Sequence, residues 1–282
     1  MKKGELHSGA YAYREGKLAR GHNLATIWDG VYRKKAGQDP LTNTQERADA
    51  AAPLSKNLAY LSAFDHLGFF YNLSPQSKIL QAGLGHGKTL RTIVEHVTGV
   101  EPIGLDISAL ALQEAKRNGV DQVVQGDILA LPFKDDSIDR VFEVGVVEHL
   151  YATDPFDKEV VDREGVIASF REIHRVLKPK GKVGFIQPSR HSVGNWQKRY
   201  SQFRGKWDMG FQEDFSLTEF CQLMKIAGFD NIKYCVLQAP DDFPKAIQTG
   251  DRILKAYHNL RGDHRKAELT GAMFAVVGEN KF

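Results

Sequence analysis

From Lys78 onward, short apolar runs alternate with amphipathic stretches. KILQA (Lys78–Ala82) reads as a buried strand running into glycines, and Leu90, Ile93, Val94 and Val97 behind it share one helical face. A second run, PIGLDI, ends at Asp106 and Ile107; Ser108 can cap the helix after it, which stops at Asn118-Gly119. QVVQGDI (Gln122–Ile128) and DRVFEVGV (Asp139–Val146) read as further strands. Next come a helix with Val166, Phe170, Ile173 and Leu177 on one face and the strand KVGFIQP (Lys182–Pro188). LTEFCQLMKIAGF reads as a helix ending at Gly228, and IKYCVLQ and AMFAVVG as two late strands around a helix near Phe243–Leu260. Strands that alternate with helices predict an α/β fold with a parallel sheet covered on both faces.

Residues 1–76 have a different character and read as a helical preface, broken at Pro40 and Pro53. Leu54, Leu58, Leu61 and Phe64 fall at helical spacing, which predicts a helix packed on a core. No internal repeat or low-complexity linker divides the rest, so 77–282 is expected to form the main domain, with 189–215 as an insertion after its fifth strand.

Composition narrows the class. The 282 residues are 42% hydrophobic and 26% charged, an ordinary globular balance, and no apolar run approaches the ~20 residues a membrane-crossing helix needs. The amino terminus carries charge with no apolar stretch behind it, so no secretory leader is expected. Two cysteines, Cys221 and Cys235, cannot build a disulfide framework, and no CxxC pair points to a metal. A cytoplasmic location is expected, with no membrane partner. A net charge of +3 calls for no nucleic-acid partner.

Gly83-Leu84-Gly85-His86-Gly87 lies between a strand and a helix, where the main chain can turn sharply and the helix directs free amides at a ligand. A nucleotide-like ligand at the carboxyl edge of the sheet follows. AGLGHGKT also fits a relaxed phosphate-loop pattern, with Lys88 and Thr89, but that reading needs a magnesium-binding Asp at the end of another strand. A dinucleotide fold would have GxGxxG where this chain has GxGxG, although Asp106 lies 21 residues after Gly85, where a ribose acceptor belongs.

Taken in order, KILQAGLGHGKTL, IGLDIS, VVQGDILALPFKDDSIDRVFEVGVVEHL and FREIHRVLKPKGKVGFIQPSR resemble the successive motifs of class I S-adenosylmethionine-dependent methyltransferases, and LTEFCQLMKIAGFDNIKY resembles their late helix and sixth strand. The likeness implies a Rossmann-like, seven-stranded, mostly parallel sheet with helices on both faces and a reversed last strand. It also implies methyl transfer from S-adenosylmethionine to a small-molecule acceptor, leaving S-adenosylhomocysteine. By resemblance, Gly83, Gly85 and Gly87 form the floor of the cofactor site and Asp106 accepts the ribose hydroxyls. Ile107 lies on the adenine, Asp127 accepts from its amino group, Ile128 offers a backbone N–H, and Glu143 lies on the cofactor side. Gln81 stands where the family has Asp or Glu near the methionine ammonium; a neutral amide keeps an acceptor and loses the charge. That departure leaves open a catalytically silent binding module, beside the less supported triphosphatase.

Glu148-His149 follows the fourth strand, beside the place the methyl group would point. Transfer needs alignment and exclusion of water, and a hydroxyl or amine acceptor needs a base, for which His149 has the right ordinary range. The acceptor side is drawn from two segments. Between Ser189 and Trp207, Arg190 and Trp196 belong to a run of cations and aromatics without an acid, which suits an anionic or aromatic acceptor. Tyr11 and Trp28 belong to a front segment, with Tyr13 and Tyr32, that would close over the site.

Overall fold

The structure is a computed structural model that describes residues 19–20, 25, 28–30, 32–33, 52–153, 159–204, 211–237, 245–263 and 271–281. Its centre is a seven-stranded sheet. In chain order the strands are β2 (Lys78–Ala82), β3 (Glu101–Asp106), β4 (Val123–Gln125), β5 (Ile138–Val144), β8 (Leu177–Pro188), β9 (Asp230–Leu237) and β10 (Met273–Glu279). They lie side by side in the order β4-β3-β2-β5-β8-β10-β9. β2 pairs in parallel with both β3 and β5, β5 with β8, and β10 runs antiparallel to β8 and β9. This is the Rossmann-like methyltransferase topology that the motif resemblance implies. A second, small sheet joins β1 (Ala19–Arg20), β6 (Tyr151–Thr153) and β7 (Glu159–Val161), all antiparallel.

Successive residues of the central strands point to opposite faces, so each face has its own core. Leu80, Val141 and Phe185 point to the side covered by α4 (Arg163–Val176) and α6 (Leu217–Ala227). Ile79, Phe142 and Ile186 point to the side covered by α1 (Ala52–His66), α2 (Lys88–His96) and α3 (Ala109–Arg117). Local chemistry sets the ends. Ser108 Oγ accepts from Ala111 N at 3.1 Å and Asp162 Oδ1 from Gly165 N at 2.9 Å, while α6 stops at Gly228 with φ 108°.

Two elements differ from their sequence reading. The buried side of α1 is Asn57, Tyr60, Ala63 and Phe64, and Leu58 is exposed. The helix is turned so that Tyr60 reaches Met273 of β10, its hydroxyl 3.0 Å from the sulfur, and Phe64 packs on Phe69 and meets Phe142 edge-on. Residues 52–70 therefore share the sheet's core, although they precede the expected boundary at 76. The basic run after β8 folds into α5 (Val193–Phe203), and the last helix before β10, α7 (Lys245–Leu260), packs on it. Asp251 of α7 binds the start of α5, its Oδ1 accepting from Val193 N at 2.6 Å.

Candidate functional site

The carboxyl ends of β2, β3, β4 and β5 open into a cavity of about 320 Å³. After Ala82 the chain turns at Gly83, φ 75°, where Gly83 N and Leu84 N both donate to Leu105 O at 2.8 Å. The next turn brings Gly85 N to 2.8 Å from Asp106 Oδ2, while Asp106 Oδ1 accepts from Ser108 N at 2.9 Å. The carboxylate thus clamps the tips of the two strands together while facing the cavity. Burial, opposed by these amide bonds, pushes its pKa above the ordinary carboxylate value, and Asp29 adds to the rise. Asp29 itself reaches Ser108 Oγ at 2.5 Å and so ties the front segment to β3.

Gln81, Ile107, Asp127 and Ile128 complete the floor and one wall. Gln81 Nε2 donates to Gly83 O at 3.3 Å, and its carbonyl oxygen Oε1 is buried without a protein partner. Asp127 Oδ1 accepts from Leu129 N at 2.9 Å, which fixes the carboxyl beside the wall. The other wall comes from the front segment. Tyr32 packs edge-on to His86, ring centroids 5.0 Å apart, and a Cβ on Gly85 would lie 3.1 Å from its hydroxyl. Burial and the nearby Asp106 and Glu114 raise the phenol's pKa, so it stays protonated.

His149 faces the same cavity, edge-on to Trp28 at 4.8 Å. Its Nδ1 lies 2.7 Å from Phe211 O; a carbonyl only accepts, so Nδ1 carries the hydrogen and Nε2 presents a lone pair. Burial pulls the imidazole down to about 4. It is neutral at physiological pH and holds a proton weakly.

The two glutamates stand behind the cavity rather than in it. Glu143 is fully buried, and its carboxylate accepts from Val146 N, from Val147 N at 3.0 Å and from Gln187 Nε2. It shapes the loop after β5 and is not among the cavity's lining residues, which corrects its expected place on the cofactor. Glu148 is also buried and does not line the cavity; its Oε1 lies 4.0 Å behind His149 Nε2, its Oε2 is unpartnered, and the buried Lys198–Asp214 ion pair is close by. A direct catalytic role for Glu148 is therefore not what this geometry supports. Sequence reasoning missed Gln187 and Asp29. A polar residue closing the apolar run KVGFIQP was the available signal for the first, and none existed for the second.

The substrate-side expectations separate. Trp28 lines the cavity. Tyr11 lies outside the described residues. Arg190 does not line the cavity; its guanidinium binds Asp214 O at 2.9 Å, Glu213 at 3.3 Å and Glu219 at 3.2 Å. Trp196 is 75% exposed on α5. Ser189 pairs with Phe215, which sets Arg190 among Glu213, Asp214 and Glu219, and the helix that follows leaves Trp196 in solvent. The phosphate-loop reading also fails. Thr89 Oγ1 donates to Asn57 Oδ1 at 3.0 Å, and the strand-end carboxylate Glu143 is fully engaged, so neither is left for magnesium.

Buried ionisable groups give this region a pH signature. Glu143 is pushed up to about 8 by burial, and Glu148 is raised by burial and by Glu143 beside it. The folded state then holds more protons than the unfolded chain between the ordinary carboxylate range and about pH 8, and stability falls as pH rises through that window. His149 acts oppositely: its lowered pKa costs stability as pH falls from about 6.5 to about 4. Above about pH 6.5 only the glutamates still act, so thermal melts should show stability falling from there toward pH 8. Glu148→Gln should flatten the alkaline decline; an unchanged decline would mean that the pair is not protonated in the fold.

Comparison with known proteins agrees with the geometry. Residues 80–185 match the family model of a methyltransferase domain. The chain is 27% identical over 241 residues to a sterol 24-C-methyltransferase of Gibberella zeae, covering 79% of this chain and 58% of that one. It is 31% identical over 160 residues to a 2-methyl-6-phytyl-1,4-hydroquinone methyltransferase of Oryza sativa, covering 55% and 42%. It thus spans about half the length of these relatives. An S-adenosylmethionine-dependent methyltransferase of Thermotoga maritima superposes with a TM-score of 0.55 at 19% identity, over 92% of this chain and all of that one. Among the described residues no helix is long and apolar enough to cross a membrane, and no group of three or more His, Cys, Asp or Glu is placed to hold a metal.

Proposed function

We propose that the chain, whose residues 80–185 match the family model of a methyltransferase domain, is a class I S-adenosylmethionine-dependent enzyme that transfers a methyl group to a small acceptor beside His149. The observation that carries this reading is the meeting of Asp106, the unpartnered Gln81 Oε1 and His149 on one cavity. These residues fit the donor. Asp106 offers carboxylate oxygens to the two ribose hydroxyls, Gln81 Oε1 offers a buried acceptor to the ammonium, and the missing Cβ of Gly85 leaves room under Tyr32. Ile107 would lie against the adenine, Ile128 would offer its backbone N–H, and Asp127 would accept from the adenine amino group. When bound, S-adenosylmethionine supplies a methyl group on a sulfonium whose charge disappears on transfer.

The chain's own contribution is alignment and exclusion of water. Trp28 and Tyr32 cover the cavity, and His149 Nε2 accepts a hydrogen bond from the acceptor's hydroxyl or amine, aiming a lone pair of the attacking atom. With its pKa near 4, the imidazole positions that hydrogen and passes it on rather than retaining it. Around His149 the wall is built from Trp28, Val144, Val146 and Leu150, so the acceptor has an apolar body with one polar head. The sterol and the phytyl hydroquinone in the relatives' names share that chemistry.

Calorimetric titration should show S-adenosylhomocysteine binding, and absence of binding at millimolar ligand would remove the proposal. Radiolabelled methyl transfer should then favour lipophilic phenols and sterols over polar amines. With a working acceptor, His149→Gln should leave S-adenosylhomocysteine affinity within about threefold and lower kcat by roughly tenfold to a hundredfold, the range expected for lost alignment plus a weak proton acceptor. The wild-type kcat profile should show no histidine ionisation between pH 5.5 and 8. A step near 6.5 would restore a conventional base.

A further inference from the structure

We infer that the paired helices α5 and α7 form a docking surface for an anionic lipid membrane. Each carries large apolar side chains at i, i+4 and i+7 that face solvent: Trp196, Tyr200 and Phe203 on α5, Ile253, Tyr257 and Leu260 on α7. Phe203 and Leu260 are 86% and 88% exposed. On each helix the stripe lies away from the side that holds the protein, where Asn195, Lys198 and Asp251 are buried. The helices are held to one another by Asp251 at the start of α5 and by Val193 against Gly250. Their stripes are thus part of a built surface.

Charge chooses the occupant. Arg199 and Arg204 on and just after α5, and Arg252 and Arg261 on and just after α7, are all exposed. The one acid in either helix is Asp251, which is buried. Aromatic and aliphatic side chains flanked by arginines, with no exposed acid on either helix and only the half-buried Asp263 after α7, match the interface of a bilayer bearing negative headgroups. A second copy would set the same arginines against each other across a two-fold contact. The expectation of no membrane partner looked only for a spanning run, and surface attachment has no such requirement. Both helices join the sheet where Pro188 pairs with Met273, at the carboxyl end of β8, the same edge of the sheet as the cavity. The inference rests on this surface and stands whether or not methyl transfer does.

The test is co-sedimentation of the whole chain with phosphatidylcholine vesicles, with and without phosphatidylserine. The chain should sediment with the anionic vesicles, and high salt should release most of it. Phe203→Ser with Leu260→Ser, and separately Arg199→Glu with Arg252→Glu, should each lower the bound fraction by about tenfold. S-adenosylhomocysteine titration of the same variants should be unchanged, which reports folding independently of docking. Failure of the wild type to sediment with either vesicle would overturn the inference. So would a dimer in sedimentation velocity, or binding to single-stranded RNA, that the Phe203 and Leu260 substitutions abolish. Loss of S-adenosylhomocysteine binding in the wild type bears only on the methyl-transfer reading.

Discussion

Asp106→Ala should weaken S-adenosylhomocysteine binding by about tenfold to a hundredfold in calorimetric titration. Two contributions add. The carboxylate offers charge-assisted acceptors to the ribose, and a net ~1.5–3 kcal/mol per such contact corresponds to that range. It also holds Gly85 N at 2.8 Å and Ser108 N at 2.9 Å, so its removal loosens the loop that forms the floor. Asp106→Asn separates them. The amide keeps one oxygen to accept from Gly85 or Ser108, so melting temperature should recover most of the way. Affinity should recover only in part, because the charge is gone and one acceptor has become a donor. Unchanged affinity in Asp106→Ala would mean that the ribose lies elsewhere and that the strand-tip clamp is purely structural.

Asp106 was legible because chemistry at a strand end is written locally: PIGL is apolar, the acid follows it at once, and Ser108 then caps a helix. The same holds for the stops at Asn118-Gly119 and Gly228, where left-handed glycines are set by the chain itself. Choices made by distant neighbours were not legible. Any side of α1 could have been buried by its apolar content, and the sheet selected Tyr60 and Phe64 by offering Met273 and Phe142 as partners. Glu143 and Glu148 looked like site carboxylates because they bracket a loop beside the cavity. Whether such a group faces inward depends on who satisfies it, and Gln187 comes from a strand 44 residues away. Arg190 and Trp196 were assigned to the pocket by their position after a strand. The pairing of Ser189 with Phe215 and the hold of Glu213 and Glu219 on Arg190 have no local signature.

Gly83→Ala should be the most destabilising of these changes, by about 2–5 kcal/mol. The first part is backbone strain: φ 75° lies in the left-handed region, at ~1–2 kcal/mol for a residue with a Cβ. The second is a collision, since the new Cβ would lie 2.1 Å from Val146 Cγ2, and forcing such overpacking costs ~1–3 kcal/mol. In a chain of this size the sum lowers the melting temperature by roughly 3–8 °C. Gly119→Ala is the internal control. Its φ is 84°, yet a Cβ there meets nothing within 4 Å, so it should show the strain alone. The collision can be removed from the other side, because Val146→Ala deletes the offending methyl. In that background the penalty of Gly83→Ala should fall toward the Gly119 value, a coupling of about 1–3 kcal/mol that a double-mutant cycle reads directly. If the two substitutions were additive, the glycine would be required by its dihedral angle only, and the close approach of β2 to the loop after β5 would not be what shapes the cavity floor.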